Sequence, residues 1–176
     1  MSNSKLPRVA SFVASVVWFV MTALVCAAEP SLVNIGVDTK GKIVVINARL
    51  VDGFTDNIFE AIESGIPMTF TFQAELRQKN AMWNDTLVSS NTVRHTVKYD
   101  SLKKVYRFSE LGKGVKRKII TRNKENYQKL MLTLSNIPIA STRSLDTDKK
   151  YYVRVKADLD TDRLWFPFNH LLFFLP

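Results

Sequence analysis

The chain contains one cysteine, Cys26, and its position decides which thiol chemistry is open to the protein. Residues 1–28 have the order of an export signal, since Lys5 and Arg8 precede an apolar run and small residues close the segment at Ala28. Cleavage after Ala28 would remove Cys26, leaving neither a disulfide nor a thiolate nucleophile in the mature chain. The sequence therefore predicts a periplasmic protein in which residues 29–176 form a single domain.

Two other interpretations of the first 28 residues stay open. The apolar run and its flank, residues 9–28, cover about 20 residues, which is enough for a helix to cross a bilayer. An uncleaved anchor would hold the domain at the inner membrane, facing the periplasm. A lipid on Cys26 is less favoured, because Val25 stands where lipid attachment normally requires a small residue.

Histidine is scarce as well, and the sequence contains no recognisable catalytic motif. The only two histidines are His95 and His170. His95 alternates with Val93 and Val97, a pattern that favours a hydrogen-bonded core or rim histidine over a general base. There is no nucleophile elbow, zinc-protease helix or phosphate-binding glycine loop. We therefore predict a protein without catalytic activity or cofactor, and keep a hydrolase with a site built from distant residues as a less favoured alternative.

An acidic triplet near the end of the chain is the only pattern that resembles a metal site. Asp158, Asp160 and Asp162 have the spacing that opens a calcium-binding loop. Arg163 occupies the position of the required glycine, and Asn169 occupies that of the closing glutamate. The sequence therefore predicts a solvated acidic edge and no bound metal.

The clearest structural signal is a helix followed directly by a strand, over residues 55–77. Thr55 can cap the helix, Ile58, Phe59 and Ile62 recur at helical spacing, and Gly65 can supply the left-handed residue that ends it. The strand that follows places every second, apolar residue on one face: Met68, Phe70, Phe72, Ala74 and Leu76.

Weaker patterns complete the predicted fold. Alternation predicts hairpins over residues 33–50 and 92–109 and a strand over residues 151–160. Asn123 can cap a second helix whose apolar stripe is Tyr127, Leu130, Met131 and Leu134. Residues 78–90, 111–118 and 140–150 are predicted to be loops. The predicted fold class is α+β, with an antiparallel β-sheet or a sandwich-like β domain and two packed helices.

Positive charge is concentrated in one part of the chain. All 16 acidic residues but only 23 of the 25 basic residues follow residue 28, so the mature chain has a net charge of +7. Residues 102–129 alone hold ten basic residues against Glu110 and Glu125. A solubilising surface would explain this segment, and so would contact with an anionic lipid surface or an acidic envelope protein. The candidate contact residues are Lys113, Lys116, Arg117, Lys118 and Arg122.

Residues 164–176 of the sequence are almost wholly apolar but too few to cross a membrane as a helix. Because an exposed apolar terminus would aggregate, the segment is expected either to pair with the sheet or to be followed by more chain.

The order of elements resembles a family of exported Gram-negative bacterial proteins known as domain of unknown function 4390. The resemblance covers most of the mature chain. It rests on the following positions, none of them catalytic: Ser64, Gly65, Ile66 and Pro67, Trp83, Tyr99, Tyr106, Phe108, Ile137, Pro138, and residues 151–159 and 167–172. The resemblance implies an envelope address and one domain, and it implies that relatives continue past the apolar end with a further strand. It supplies no activity and no functional residue.

Together these observations predict a non-catalytic binding module that contacts an envelope protein or an anionic membrane surface. Nucleic acid is not an expected partner outside the cytoplasm. The alternative is a carrier of a small ligand or lipid, held between the sheet and its helices near Phe70, Phe72 and Tyr127.

Overall fold

The computed structural model describes residues 29–82 and 84–160. Residues 1–28, which were predicted to be an export signal, lie outside the described residues, as do Trp83, Asp162, His170 and the apolar segment 164–176. The strands are β1 (Ser31–Lys40), β2 (Ile43–Val51), β3 (Met68–Gln78), β4 (Thr86–Asp100), β5 (Val105–Gly112), β6 (Val115–Thr121), β7 (Thr133–Ser141) and β8 (Tyr151–Asp160). The helices are α1 (Asp56–Glu63) and α2 (Lys124–Leu132), with a short 3₁₀ helix at Thr142–Ser144.

The strands form two antiparallel sheets, as the predicted sandwich-like α+β class requires. One sheet has three strands in the order β1-β2-β7, and the other has five in the order β6-β5-β4-β3-β8. Each of the hairpins β1–β2, β4–β5 and β5–β6 joins neighbours in a sheet. Within the described residues β6 and β8 are the edges of the larger sheet, and its long strands β3 and β4 lie between them.

The helix and strand over residues 55–77 form as predicted. The Thr55 hydroxyl accepts a hydrogen bond from Ile58 N at the start of α1, and Ile58 and Ile62 are buried. Gly65 has φ of 83°, the left-handed conformation that a residue without Cβ adopts at low cost. All five apolar positions of the β3 inner face, Met68 to Leu76, are buried.

Both helices pack on the inner face of the five-stranded sheet. Helix α1 contacts β3 and β4, while α2 contacts β4, β5 and β6 as well as β2 and β7 of the smaller sheet. Tyr127 and Met131 of α2 are fully buried in the main core together with Phe72 and Phe108. Among the described residues, the helices and the smaller sheet therefore cover the inner face, and most side chains on the opposite face of the larger sheet are exposed or partly exposed.

Three loop predictions were wrong in part. Residues 86–90 already belong to β4, and residues 111–118 form the end of β5, a two-residue turn and most of β6. Gly114 in that turn has φ of 73°, so the glycine marks a tight hairpin and not the mobile connection we expected. In the third predicted loop, residues 140 and 141 still belong to β7.

The second helix is shorter than predicted. Helix α2 ends at Leu132, and Leu134 belongs to β7.

Candidate functional site: the outer face of the larger sheet

The outer face of β4, β5 and β6 carries the greatest concentration of exposed basic side chains among the outward positions of this sheet. Paired residues of neighbouring strands lie on the same face, so the register defines rows across the sheet. In one row Lys116 lies opposite Leu111, and Leu111 lies opposite Arg94. Two residues further along, Lys118 is level with Ser109 and Thr96, and a third row joins Ile120, Arg107 and Lys98. We call the following residues the outer basic face: Arg94, Lys98, Arg107, Lys116, Lys118, Leu111 and Ile120.

All seven of these side chains are exposed. Leu111 is 55% exposed and Ile120 is 62% exposed, although both are large apolar residues within strands, each one position before the strand ends. Exposed apolar side chains between cations on one face of a sheet suit a partner that offers both negative charge and apolar atoms.

Only one carboxylate stands among the outward positions of β4, β5 and β6. Asp100 Oδ2 lies 2.9 Å from Arg107 Nη2. The hydrogen bond from Arg107, helped by one from the Lys103 amide, holds the pKa of Asp100 below its ordinary value. Among the described residues, Arg94, Lys98, Lys116 and Lys118 make no ion pair, so their charges face solvent uncompensated by close carboxylates.

The structure separates the five candidate residues that the sequence singled out. Lys116 and Lys118 lie on the outer basic face. Arg122 is exposed directly after β6, and Lys113 is exposed in the β5–β6 turn at the opposite end of that strand. Arg117 points to the inner face, where it is half-buried.

Arg117 faces inward because a carboxylate lies opposite it. Glu110 is 3% exposed, and its Oε2 atom lies 3.0 Å from Arg117 Nε. The two atoms form a close ion pair but not an aligned hydrogen bond. The Arg117 guanidinium also lies 5.8 Å from the centre of the Phe108 ring. A strand of alternating residues therefore presents Lys116 and Lys118 to solvent and holds Arg117 on the core side.

The second oxygen of Glu110 contacts His95. His95 Nε2 lies 2.9 Å from Glu110 Oε1, and Nδ1 lies 3.0 Å from the carbonyl oxygen of Met131 at the end of α2. Burial is the largest influence on Glu110 and opposes its ionisation, but the hydrogen bond and charge of His95 together with Arg117 hold its pKa below the ordinary value. Glu110 is therefore a charged acceptor inside the domain.

His95 is a hydrogen-bonded core residue, as its position in the alternating strand indicated. It is 0% exposed, and its ring packs between Phe72 and Phe108 with centroid distances of 5.0 and 5.3 Å. Because both ring nitrogens already have partners and no surface is exposed, His95 cannot reach a substrate in this arrangement.

A second polar cluster joins the two helices to β5. Tyr106 Oη donates a 2.6 Å hydrogen bond to Glu63 Oε1, and the rings of Tyr106 and Tyr127 stack at 4.1 Å. Burial and the nearby Glu63 carboxylate raise the pKa of Tyr127 to about 12. Burial and the hydrogen bond to Glu63 also raise the pKa of Tyr106, so both phenols stay protonated at neutral pH, and the Tyr106–Glu63 hydrogen bond joins α1 to β5.

An apolar cavity of about 640 Å³ opens between the two sheets and α1. Its apolar walls come from β1, β2, α1, β3 and β8: Leu32, Leu50, Ile58, Phe70, Ala157 and Leu159. Phe70 lines this cavity, as a carrier would require. Phe72 and Tyr127, the other two residues expected near a ligand, are buried in the main core and do not line it.

Two further features concern membranes and metals. No helix in the described part of the chain is both long and apolar enough to cross a bilayer. Within residues 29–82 and 84–160, no three potential metal-ligating side chains come together. Asp158 is exposed on β8 and Asp160 is the last residue of that strand, while Asp162 lies outside the described residues.

The sequence-based prediction did not include Arg94, Lys98 and Arg107 in this surface. It also did not identify Glu110 as the partner of His95. The signal was present in the predicted β4–β5 hairpin. Counting back from its turn places Glu110 opposite His95 and Arg107 opposite Lys98. Because β6 was taken for a loop, the third strand of the face could not be added.

The family described as Domain of unknown function (DUF4390) matches residues 27–176, which is most of the chain. The chain belongs to this family, and the resemblance seen in the sequence is confirmed. No curated protein and no solved structure matches the chain.

Proposed function

We propose that this DUF4390 chain is a non-catalytic binding module of the cell envelope, which attaches to an anionic membrane surface through the outer basic face. The observation that carries the proposal is the face itself. Five exposed basic side chains and two exposed apolar ones share one side of three neighbouring strands, and Asp100 is the only acid among their outward positions.

The charge of the face favours a surface that carries many negative groups. Each lysine or arginine close to an anionic bilayer contributes on the order of 1 kcal/mol, and the contributions add while the residues stay within a Debye length of the headgroups. Four of the five cations form no ion pair with described carboxylates, so binding would break few existing contacts.

The shape and apolar content of the face favour a lipid surface over a folded acidic protein. Leu111 and Ile120 project from between the cations on the exposed side of the strands. A bilayer interface offers phosphate groups and acyl chains within a few ångströms of each other, which matches this alternation.

The proposed location of the domain is the periplasm if residues 1–28 are removed, or the periplasmic side of the inner membrane if they are retained. Lys5 and Arg8, the apolar run and the small residues that follow it support export. The anionic leaflets and lipopolysaccharide of an envelope would supply the surface that the outer basic face fits.

Vesicle co-sedimentation tests this function directly. Residues 29–176 contain every element of the described fold, so this chain is mixed with vesicles of phosphatidylglycerol and phosphatidylcholine, and with vesicles of phosphatidylcholine alone. We expect binding to the anionic vesicles at low salt, a large loss at high salt, and little binding to the neutral vesicles. Equal binding to both vesicle types would overturn the proposal, and so would absence of binding at low salt.

The cavity favours a second function, that of a carrier for an apolar ligand. Its volume of about 640 Å³ and its wall of Leu32, Leu50, Ile58 and Phe70 suit an acyl chain. Organic extraction of the purified protein should then release lipid, and Leu32→Trp, which places a large ring in the cavity and narrows it, should reduce the amount released. Leu111→Trp adds the same ring on the outer face and should have no effect. A protein without extractable lipid that also fails to bind a fluorescent fatty acid would rule out the carrier function.

A further inference from the structure

The loop between β4 and β5 is a short, ordered turn that projects one leucine into solvent. Asp100 pairs with Val105, which leaves Ser101, Leu102, Lys103 and Lys104 as the four residues of the turn. Leu102 is 94% exposed. The lysines that follow it are also exposed, so the tip of the hairpin combines one fully solvated apolar side chain with two positive charges.

The conformation of this turn is fixed by its own contacts. The Lys103 amide donates a 3.1 Å hydrogen bond to Asp100 Oδ1, while the other oxygen of Asp100 lies 2.9 Å from Arg107 Nη2. Lys104 has φ of 52°, a left-handed conformation that residues with a Cβ seldom adopt. A turn held in this way keeps Leu102 away from the body of the domain instead of letting it fold back onto apolar surface.

The hairpin tip continues the outer basic face. Lys98 and Arg107 form the last basic row before the turn, with Ile120 beside them on β6. Arg122, one of the candidate residues from the sequence, follows the end of β6 at the same end of the sheet. Leu102 therefore lies at the end of a basic surface and not alone on a neutral one.

We propose that Leu102 inserts into the apolar layer of an anionic bilayer while Lys103 and Lys104 contact the headgroups around it. This inference rests on the proposed membrane-binding function and assigns the orientation of the domain: the outer basic face lies on the bilayer, tilted so that the end that carries the β4–β5 hairpin is the deepest part. A single exposed leucine is an ordinary surface feature. The held turn, the two adjacent lysines and the continuity with the outer basic face are what select a lipid interface as its partner.

The chain provides a matched comparison in Met82. Met82 is also an apolar loop residue and is 93% exposed, close to the value for Leu102, but it lies between β3 and β4. The whole of β4, with 15 residues, separates the two loops, which places them about 50 Å apart along the strand. Asp85 follows Met82 closely and no pair of lysines does. If the hairpin orients the domain, Met82 should stay in water when Leu102 is in lipid.

An environment-sensitive fluorophore can report the depth of each loop. Residues 29–176 contain no cysteine, so Leu102→Cys and Met82→Cys each give one labelling site for a nitrobenzoxadiazole dye. With anionic vesicles at low salt, we expect a blue shift and a several-fold rise in emission at position 102, and no change at position 82. Dye at position 102 that stays water-like while the protein co-sediments would overturn the anchor but leave surface binding intact. Equal shifts at both positions would also overturn it.

Substitutions without a dye give an independent test. Leu102→Ser should weaken binding to anionic vesicles about ten-fold, whereas Leu102→Phe should retain it. Met82→Ser is the matched control and should have no effect. Lys104→Gly relieves the left-handed strain and removes one charge, so we expect a folded hairpin with weaker binding to anionic vesicles. Thermal unfolding confirms that each variant is folded, and unchanged binding by Leu102→Ser would contradict the inference.

Discussion

Arg117 Nε lies 3.0 Å from Glu110 Oε2, and this ion pair joins the edge strand β6 to β5 on the inner face of the sheet. Because neighbouring residues of a strand point to opposite faces, an inward Arg117 requires Lys116 and Lys118 to point outward. A slip of one residue would expose Arg117 and bury both lysines. The ion pair therefore fixes the register on which the outer basic face depends.

The first prediction separates the structural arginine from the exposed lysine beside it. Arg117→Gln leaves Glu110 without its partner and should lower the free energy of unfolding by about 1–2 kcal/mol, since the Arg117 side chain is still partly solvated. Lys118→Gln should change that free energy by less than about 0.5 kcal/mol but weaken vesicle binding about five-fold. Urea denaturation measures the first effect and co-sedimentation measures the second. A Lys118→Gln variant as unstable as Arg117→Gln would show that the assigned register is wrong.

The second prediction concerns acid stability. The folded-state pKa of Glu110 lies below its ordinary value of 4.5, so the charged group stabilises the fold at neutral pH. That stabilisation is lost as the pH falls from about 4.5 through the lower folded-state pKa. Glu110→Gln should cost about 2–3 kcal/mol at pH 7, and the difference from the parent should shrink steadily towards pH 3.

Urea denaturation of both proteins between pH 7 and pH 3 checks the acid prediction. Asp85 and Asp100 also have lowered pKa values, but they are present in both proteins, so their contributions cancel in the difference. A difference that does not depend on pH would mean that the charge of Glu110 contributes nothing.

The third prediction concerns Asn91, which ties the larger sheet to the smaller one. Its amide nitrogen donates to the carbonyl oxygens of Lys113 (2.9 Å) and Pro138 (2.7 Å), and its Oδ1 accepts from the Lys113 amide at 3.0 Å. Asn91 is only 3% exposed, so Asn91→Ala should cost about 2–3 kcal/mol by leaving these groups unpaired. Asn91→Asp should cost at least as much, because a carboxylate cannot donate to either carbonyl.

Thermal and urea unfolding measure these losses, with Ser90→Ala as the control. Ser90 is the exposed neighbour of Asn91 on β4, and removal of its hydroxyl group should change the free energy of unfolding by less than about 0.5 kcal/mol. An Asn91→Ala variant as stable as Ser90→Ala would show that the bridge between the sheets is not needed.

Much of the fold could be predicted because local signals and packing agree over long stretches. In β3 the apolar residues occupy every second position without exception, and all of them are buried. Thr55 and Asn123 cap the two helices as their positions indicate, each accepting a hydrogen bond from the backbone amide three residues later. At these places the pattern of the chain alone determines the element and its start.

Strand β6 could not be predicted because its inner face does not read as apolar. Val115, Arg117, Ile119 and Thr121 alternate with Lys116, Lys118 and Ile120, so an arginine stands where an apolar residue is expected and an isoleucine where a polar one is. Arg117 belongs on the inner face only because Glu110 lies opposite it, a contact between strands that the alternation of one strand cannot reveal.

The predicted end of α2 was wrong for a different reason. Leu134 lies seven residues after Tyr127, which continues the helical stripe by coincidence. The chain becomes extended at Thr133, and Leu134 is buried from β7 instead. Burial of a residue does not distinguish a helix from a strand when the same core receives both.

The measurement that tests the central claim most directly compares two proteins with the same charge. In residues 29–176, Lys98, Lys116 and Lys118 on the outer basic face are replaced by glutamine in one variant. Lys40, Lys42 and Lys150, which are exposed elsewhere, are replaced in the other. We predict that the first variant loses co-sedimentation with anionic vesicles, while the second binds like the parent. Equal losses in both would show that net charge and not this face attracts the membrane, and would contradict the account.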